Sequence, residues 1–176
     1  MFKHWKLETD DAGISWLCLD KAEAKANTLS SEVIHELDGV LDQLEANIPA
    51  GLVMHSGKPG SFIMGADITE FGGFGTADDV VQLTKMAQGV FLRIRNLPCP
   101  TVVAVNGICL GGCLEISMMF DYRIGPDSDS RFFGLPEVKL GLLPGFGGTV
   151  RVVQLCGVRE GMQIMLTGNP VNARNA

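Results

Sequence analysis

Apolar positions along the chain follow two different periods in turn, which predicts alternating strands and helices. Residues 3–9 (KHWKLET) and 14–19 (ISWLCL) read as strands about a turn at Asp10–Gly13. A polar connector, Lys21–Thr28, follows. Val33, Ile34, Leu37, Leu41 and Leu44 then fall at helical spacing behind a Ser30 or Ser31 cap, predicting a helix over 31–46. Residues 51–56 (GLVMHS) form a short buried strand, and 57–67 a glycine-rich loop whose Asp67 starts a helical turn. Gly72–Gly75 reads as a mobile patch. Thr76 caps a helix over 77–96 with Val80, Val81, Leu83, Met86, Val90, Phe91 and Ile94 on its buried side, and Pro98 and Pro100 stop it.

The second half repeats the alternation. A strand at 101–105 (TVVAV) runs through a glycine turn into a helix over 112–119. A strand at 122–125 and an extended stretch at 130–133 come next, then a loop at 134–144 with a polar turn inside it, and helices over 147–155 and 159–166. Strand–helix–strand order implies one α/β domain with mainly parallel pairing. Residues 171–176 read as the opening of a further helix, so the chain is expected to be a piece of something larger.

Composition narrows the classes. At 176 residues and 46% apolar, one domain can bury a real core. The net charge of −6, with no basic run of five or more, argues against a surface that tracks nucleic-acid phosphates. The five cysteines are odd in number and lack a C-x-x-C pair, so they read as reduced residues of a cytoplasmic protein. The start has no signal or transit pattern, and no apolar run approaches membrane-spanning length.

Chemistry gathers at three places. Glu115 stands in an apolar helix one turn past Gly111-Gly112, and a buried carboxylate there is costly. Glycines before helix starts free backbone N–H groups, here Gly112, and Ala66 in Gly65-Ala66-Asp67. Two such donors on one oxygen would make an oxyanion hole. The plainer alternatives are close helix–strand packing at Gly111-Gly112, and an ordinary turn at 65–67 with Asp67 as cap. The third place is Pro136-Glu137, where a proline-bounded loop aims a carboxylate into a cleft or leaves it solvated beside Lys139. Together, two carboxylates and two donors suit adding or removing water beside a carbonyl. His4, His35 and His55 lack a nucleophile partner and read as structural or surface residues. No zinc spacing, nucleophile elbow, Walker loop or dinucleotide fingerprint occurs. Gly145–Thr149 before a helix is either a tight turn and cap or a phosphate approach.

The stretches GSFIMGADITEF (60–71), PTVVAVNGICLGGCLEISMMFDYRIG (100–125) and FGLPEVKLGLLPGFGGTVRV (133–152) carry a resemblance. In order and spacing they resemble the enoyl-CoA hydratase/isomerase, or crotonase, superfamily, and within it the multifunctional fatty-acid oxidation branch. The resemblance implies a spiral of ββα units without the family's closing C-terminal helices, and an acyl-CoA bound in a bent shape. It implies that the N–H groups of Ala66 and Gly112 hold the thioester oxygen and that Glu115 and Glu137 activate water. Asp67 matches the acid of the family's GAD motif near the CoA-binding region, and Ala24 and Ala26 would lie past the adenine end. Gly65, Ile68, Gly111 and Pro136 complete the substrate-binding set.

The implied activity is 2-enoyl-CoA hydration in β-oxidation, with Δ3–Δ2 isomerisation open to the same acids. The alternative is a non-catalytic module that binds acyl-CoA or a partner chain. Neither metal nor cofactor is implied, since the CoA thioester is the substrate. The implied partners are a homo-oligomer or a larger β-oxidation complex. Cys113, Leu114 and Thr69 depart from the commonest family pattern, and the larger side chains of the first two are expected to crowd the pocket floor.

Overall fold

The computed structural model describes residues 2–174. Its strands form two sheets, and the chain alternates between them. β1 (Trp5–Thr9) and β2 (Ile14–Leu19) pair as an antiparallel hairpin. β3 (Gly51–Ser56), β5 (Thr101–Ala104) and β7 (Tyr122–Ile124) extend that sheet in parallel, in the order β1-β2-β3-β5-β7. β4 (Ser61–Ile63), β6 (Ile108–Leu110), β8 (Arg131–Gly134) and β9 (Val171–Asn172) make the second, in the order β4-β6-β8-β9. After the hairpin, β3, β5 and β7 of the first sheet are each followed at once by a strand of the second, β4, β6 and β8, and a helical segment leads to the next pair. This is the ββα spiral implied by the resemblance.

α1 (Ser31–Ala46) runs over the predicted residues. Ser30 Oγ accepts from the Val33 N–H, and Val33, Ile34, Leu37, Val40, Leu41 and Leu44 are buried along one face. Burial of each such side chain contributes roughly 1.5–3 kcal/mol. Trp5 packs into this layer and donates its indole N–H to the Val33 carbonyl at 2.9 Å. α2 (Ala77–Arg95) begins in a capping box between Thr76 and Asp79. Its core face is Ala87, Val90, Phe91 and Ile94. Val80 and Val81, expected on that face, are 45% and 43% exposed. The first turns of α2 reach beyond the core, and Val80 and Leu83 face a cavity instead.

Two further expectations are corrected. β4 and β6 lie where a loop and a glycine turn were expected, because three-residue strands among glycines carry no readable period. Residues 171–172 form a strand antiparallel to β8, not a helix start, and Asn175 and Ala176 fall outside the described residues. Gly72 and Gly73 belong to a 3-10 helix, Ile68–Gly73, while Gly75 donates its N–H to Asp79. The two helices expected over 147–155 and 159–166 are both present, on either side of a break at Gly157 where φ is 84°, and together make α4 (Gly148–Thr167). Among the described residues no helix is long and apolar enough to cross a membrane, and all five cysteines are free.

Candidate active site

α3 (Gly112–Ser117) is short and packed on the second sheet, and it carries Glu115 inward at 1% exposure. Gly111 turns the chain from β6 into α3 with φ 58°, a left-handed value that disfavours any Cβ. The Glu115 carboxylate is not bare. Its Oε1 accepts the Phe146 N–H at 2.8 Å and the Gly148 N–H at 2.7 Å. Gly148 opens α4, so one donor is a free N–H at a helix start, where negative charge is favoured. The turn Gly145–Thr149 thus cradles an anion, but the anion is the protein's own carboxylate, and the phosphate reading of that turn falls. A Cβ on Gly148 would stand 2.8 Å from the Glu115 side chain, so the approach requires glycine. Burial, reinforced by the charge of Glu137, pushes Glu115 up to about 7, and the two N–H donors pull against that rise.

Glu137 comes from the 3-10 helix Pro136–Leu140, within the expected loop. Pro136 sets its first turn. Lys139 bonds Asn169 instead of Glu137, so the solvated pair expected as an alternative is not formed. Glu137 is half-buried; burial raises its pKa above the usual carboxylate value, and its Oε2 is buried without a hydrogen-bond partner among the described residues. A buried acceptor of this kind is uncommon and calls for a water or ligand atom.

Ala66 pairs with Leu29 in an isolated parallel bridge: Leu29 N–H donates to the Gly65 carbonyl and Asp67 N–H to the Leu29 carbonyl. In parallel pairing the bridged residue's own N–H points the other way. Gly112 opens α3, where no earlier turn accepts its N–H. Ala66, Gly112, Glu115 and Glu137 all line one cavity of about 520 Å³, closed by Val80 and Leu83 of α2 and by Leu142 and Leu143. Four residues singled out from three separate stretches of sequence meet there.

The remaining candidates stand behind or beside it. Gly65 (φ 99°) and Gly111 shape the turns that present Ala66 and Gly112. Asp67 is turned away from the cavity: it caps the 3-10 helix through the Thr69 N–H and accepts from Lys21 Nζ at 2.8 Å and from Thr28. Those donors hold its carboxyl well below the usual range. Ile68 is 61% exposed and outside the cavity. Ala24 and Ala26 are half-buried in the connector and do not line the cavity either. The histidines are structural or surface groups as expected: buried His4, for one, accepts the Ala22 N–H and approaches Glu32.

Two residues escaped the sequence reading. Asn27, fully buried, donates to the Leu19 and Phe62 carbonyls and to Ser56 Oγ, and so fixes the connector against β2, β3 and β4. Phe146 anchors Glu115 by its backbone and stacks edge-on against Phe91 of α2 at 5.7 Å. A glycine-flanked aromatic before a helix was its one visible signal.

The comparisons with known proteins agree with this geometry. A family model described as enoyl-CoA hydratase/isomerase matches residues 9–176. The chain is 40% identical over 175 residues to the fatty acid oxidation complex subunit alpha of Vibrio campbellii, and 42% identical over 175 residues to that of Idiomarina loihiensis. It spans 25% of the length of each. The crystal structure of an enoyl-CoA hydratase from Bacillus anthracis superposes at a TM-score of 0.89 with 30% identity, covering 98% of this chain and 66% of its own. The two-sheet spiral is the crotonase fold, and the chain belongs to the enoyl-CoA hydratase/isomerase family.

Proposed function

We propose that the cavity hydrates 2-enoyl-CoA thioesters, as a cytoplasmic module of fatty-acid β-oxidation. The observation that carries this reading is the convergence of Glu115, Glu137, Ala66 and Gly112 on one cavity. The Ala66 and Gly112 N–H groups receive the thioester oxygen and stabilise the charge that gathers there as C3 is attacked. Glu137, with its unpartnered Oε2, draws a proton from water as the water oxygen bonds to C3. Glu115, balanced near neutrality, is suited to deliver a proton to C2. The C2=C3 π bond and one water O–H bond break while C3–O and C2–H bonds form; Glu137 gains the water proton, Glu115 gives up its own, and the net change is addition of one water with no oxidant or reductant. The chemistry is therefore complete with acids, bases and dipoles, and CoA enters as substrate and not as cofactor. Asp67, Ile68, Ala24 and Ala26 lie outside the cavity and, on this reading, serve the CoA end of the substrate.

The same two acids can move a proton between C2 and C4, which gives Δ3–Δ2 isomerisation as a second activity. The relatives' names describe subunits of a complex, and this module is proposed to work within a larger assembly, which sedimentation of the native protein tests.

Turnover is followed by loss of the conjugated-thioester absorbance of a short or medium 2-enoyl-CoA. Glu115→Gln and Glu137→Gln are each expected to lower kcat at least about 100-fold with substrate binding nearly intact. Wild-type turnover in either variant overturns the two-carboxylate mechanism. Binding of enoyl-CoA without turnover by the wild-type chain would favour the non-catalytic module. Parallel assay of 3-enoyl-CoA decides the isomerase activity.

A further inference from the structure

The hydrogen bonds around Glu115 continue one step beyond the cavity. The peptide plane joining Gly145 and Phe146 points its N–H at Glu115 Oε1, at 2.8 Å. The carbonyl of that plane lies on its opposite side, because the peptide is trans. That carbonyl accepts from Gln88 Nε2 of α2 at 2.7 Å. The amide orientation is fixed by chemistry, since the opposite flip would set oxygen against oxygen. Gln88 does not line the cavity, so it has no contact with a ligand there.

We propose that Gln88 is a positioning residue for Glu115, acting through the Gly145–Phe146 peptide. The proposal rests on the role given to Glu115 under the proposed function. The second donor, Gly148, is held by α4, and its direction is set by that helix. Phe146 precedes the helix, next to Gly147 with φ 106°, so no helical turn aims its N–H. α2 does so from both ends of the residue. Gln88 takes the carbonyl on the far side of the plane, and Phe91 packs edge-on against the Phe146 ring. A donor on the carbonyl also polarises the peptide and strengthens the N–H opposite. Charged groups on the surrounding elements are few. Glu137 comes from the 136–140 turn, Arg151 of α4 donates to the Met118 carbonyl, and Lys85 of α2 is exposed.

The experiment compares Gln88→Met, which keeps the length and cannot donate, with Gln88→His, whose Nε2–H reaches the same position. In Gln88→Met, kcat is expected to fall roughly 10-fold with KM within about twofold. The kcat/KM limb assigned to Glu115 should move up by about one pH unit, because a carboxylate that loses a donor holds its proton more tightly. Gln88→His should restore both. In a Glu115→Gln background, Gln88→Met should cost nothing further. A lowered Tm with wild-type kcat and an unmoved limb would make Gln88 a packing residue and overturn the proposal. Wild-type turnover in Glu115→Gln would instead remove the mechanism itself, so the two failures are distinguishable.

Discussion

Replacing Glu115 by glutamine should stabilise the protein at alkaline pH while disabling it. The carboxylate is 1% exposed, and burial with Glu137 nearby lifts its pKa from 4.5 to about 7. The folded protein therefore holds this proton more tightly than the unfolded chain does. The stabilising contribution is complete below about pH 4.5, declines as pH rises, and is lost once pH passes about 7. The shift spans about two and a half pH units, and at about 1.4 kcal/mol per unit the loss is on the order of 3 kcal/mol. Glutamine has nearly the same shape, presents an oxygen to the Phe146 and Gly148 N–H groups, and does not titrate. The variant should match wild type near pH 4.5 and exceed it by up to about 3 kcal/mol at pH 8. At 2–4 °C per kcal/mol for a chain of this size, that is roughly 6–12 °C in Tm. Urea unfolding at pH 4.5, 6 and 8, with equal m-values, measures the effect of removing the Glu115 charge, including its coupling to Glu137. A difference that stays flat with pH, or a variant less stable at pH 8, would refute the assignment of a buried, proton-holding carboxylate.

Other residues give sharper local tests. Gly148→Ala puts a methyl 2.8 Å from the Glu115 side chain, so hydration should fall at least about 100-fold while circular dichroism keeps the native spectrum. Asn27→Ala removes the side-chain donor to the Leu19 and Phe62 carbonyls and the acceptor of the Lys21 N–H, and should destabilise by about 2–4 kcal/mol in urea titration, a loss that is independent of pH. Asp67→Asn removes a carboxylate whose pKa is held below normal. Its folded state favours the charged form, so the variant should be less stable at pH 7, and in thermal melts the gap should begin to narrow only as pH falls below 3.8 and go on narrowing with further acidification.

The elements were legible wherever a period had room to show itself. α1 spans the predicted residues because six of its apolar side chains share one face, and β3 is a buried run with clear bounds. β4 and β6 were not legible: three residues show no alternation, and only pairing across the second sheet makes them strands. Val80 and Val81 misled because their spacing fits a core face, while nothing in one helix says that its first turns overhang a cavity. β9 was misread because pairing with β8, some forty residues earlier, outweighs the helical tendency of the last residues.

The site divides along the same physical line. Glu115 and Glu137 could be singled out because charge in an apolar or proline-bounded context is costly, and side-chain identity records that cost. The partners that hold Glu115 could not, because they are main-chain N–H groups that any residue carries. What the sequence records is only their permission: glycine at 148, where a side chain would strike the carboxylate, and glycine at 147, where φ is positive. The resulting turn looks like a place for an external phosphate until the fold brings Glu115, 33 positions earlier, into it. A glycine-rich helix start should therefore be tested against the chain's own buried acids before an external anion is assigned to it. Here the Phe146 and Gly148 N–H groups are taken by Glu115 Oε1, while Ala66 and Gly112, from two other glycine turns, line the cavity itself.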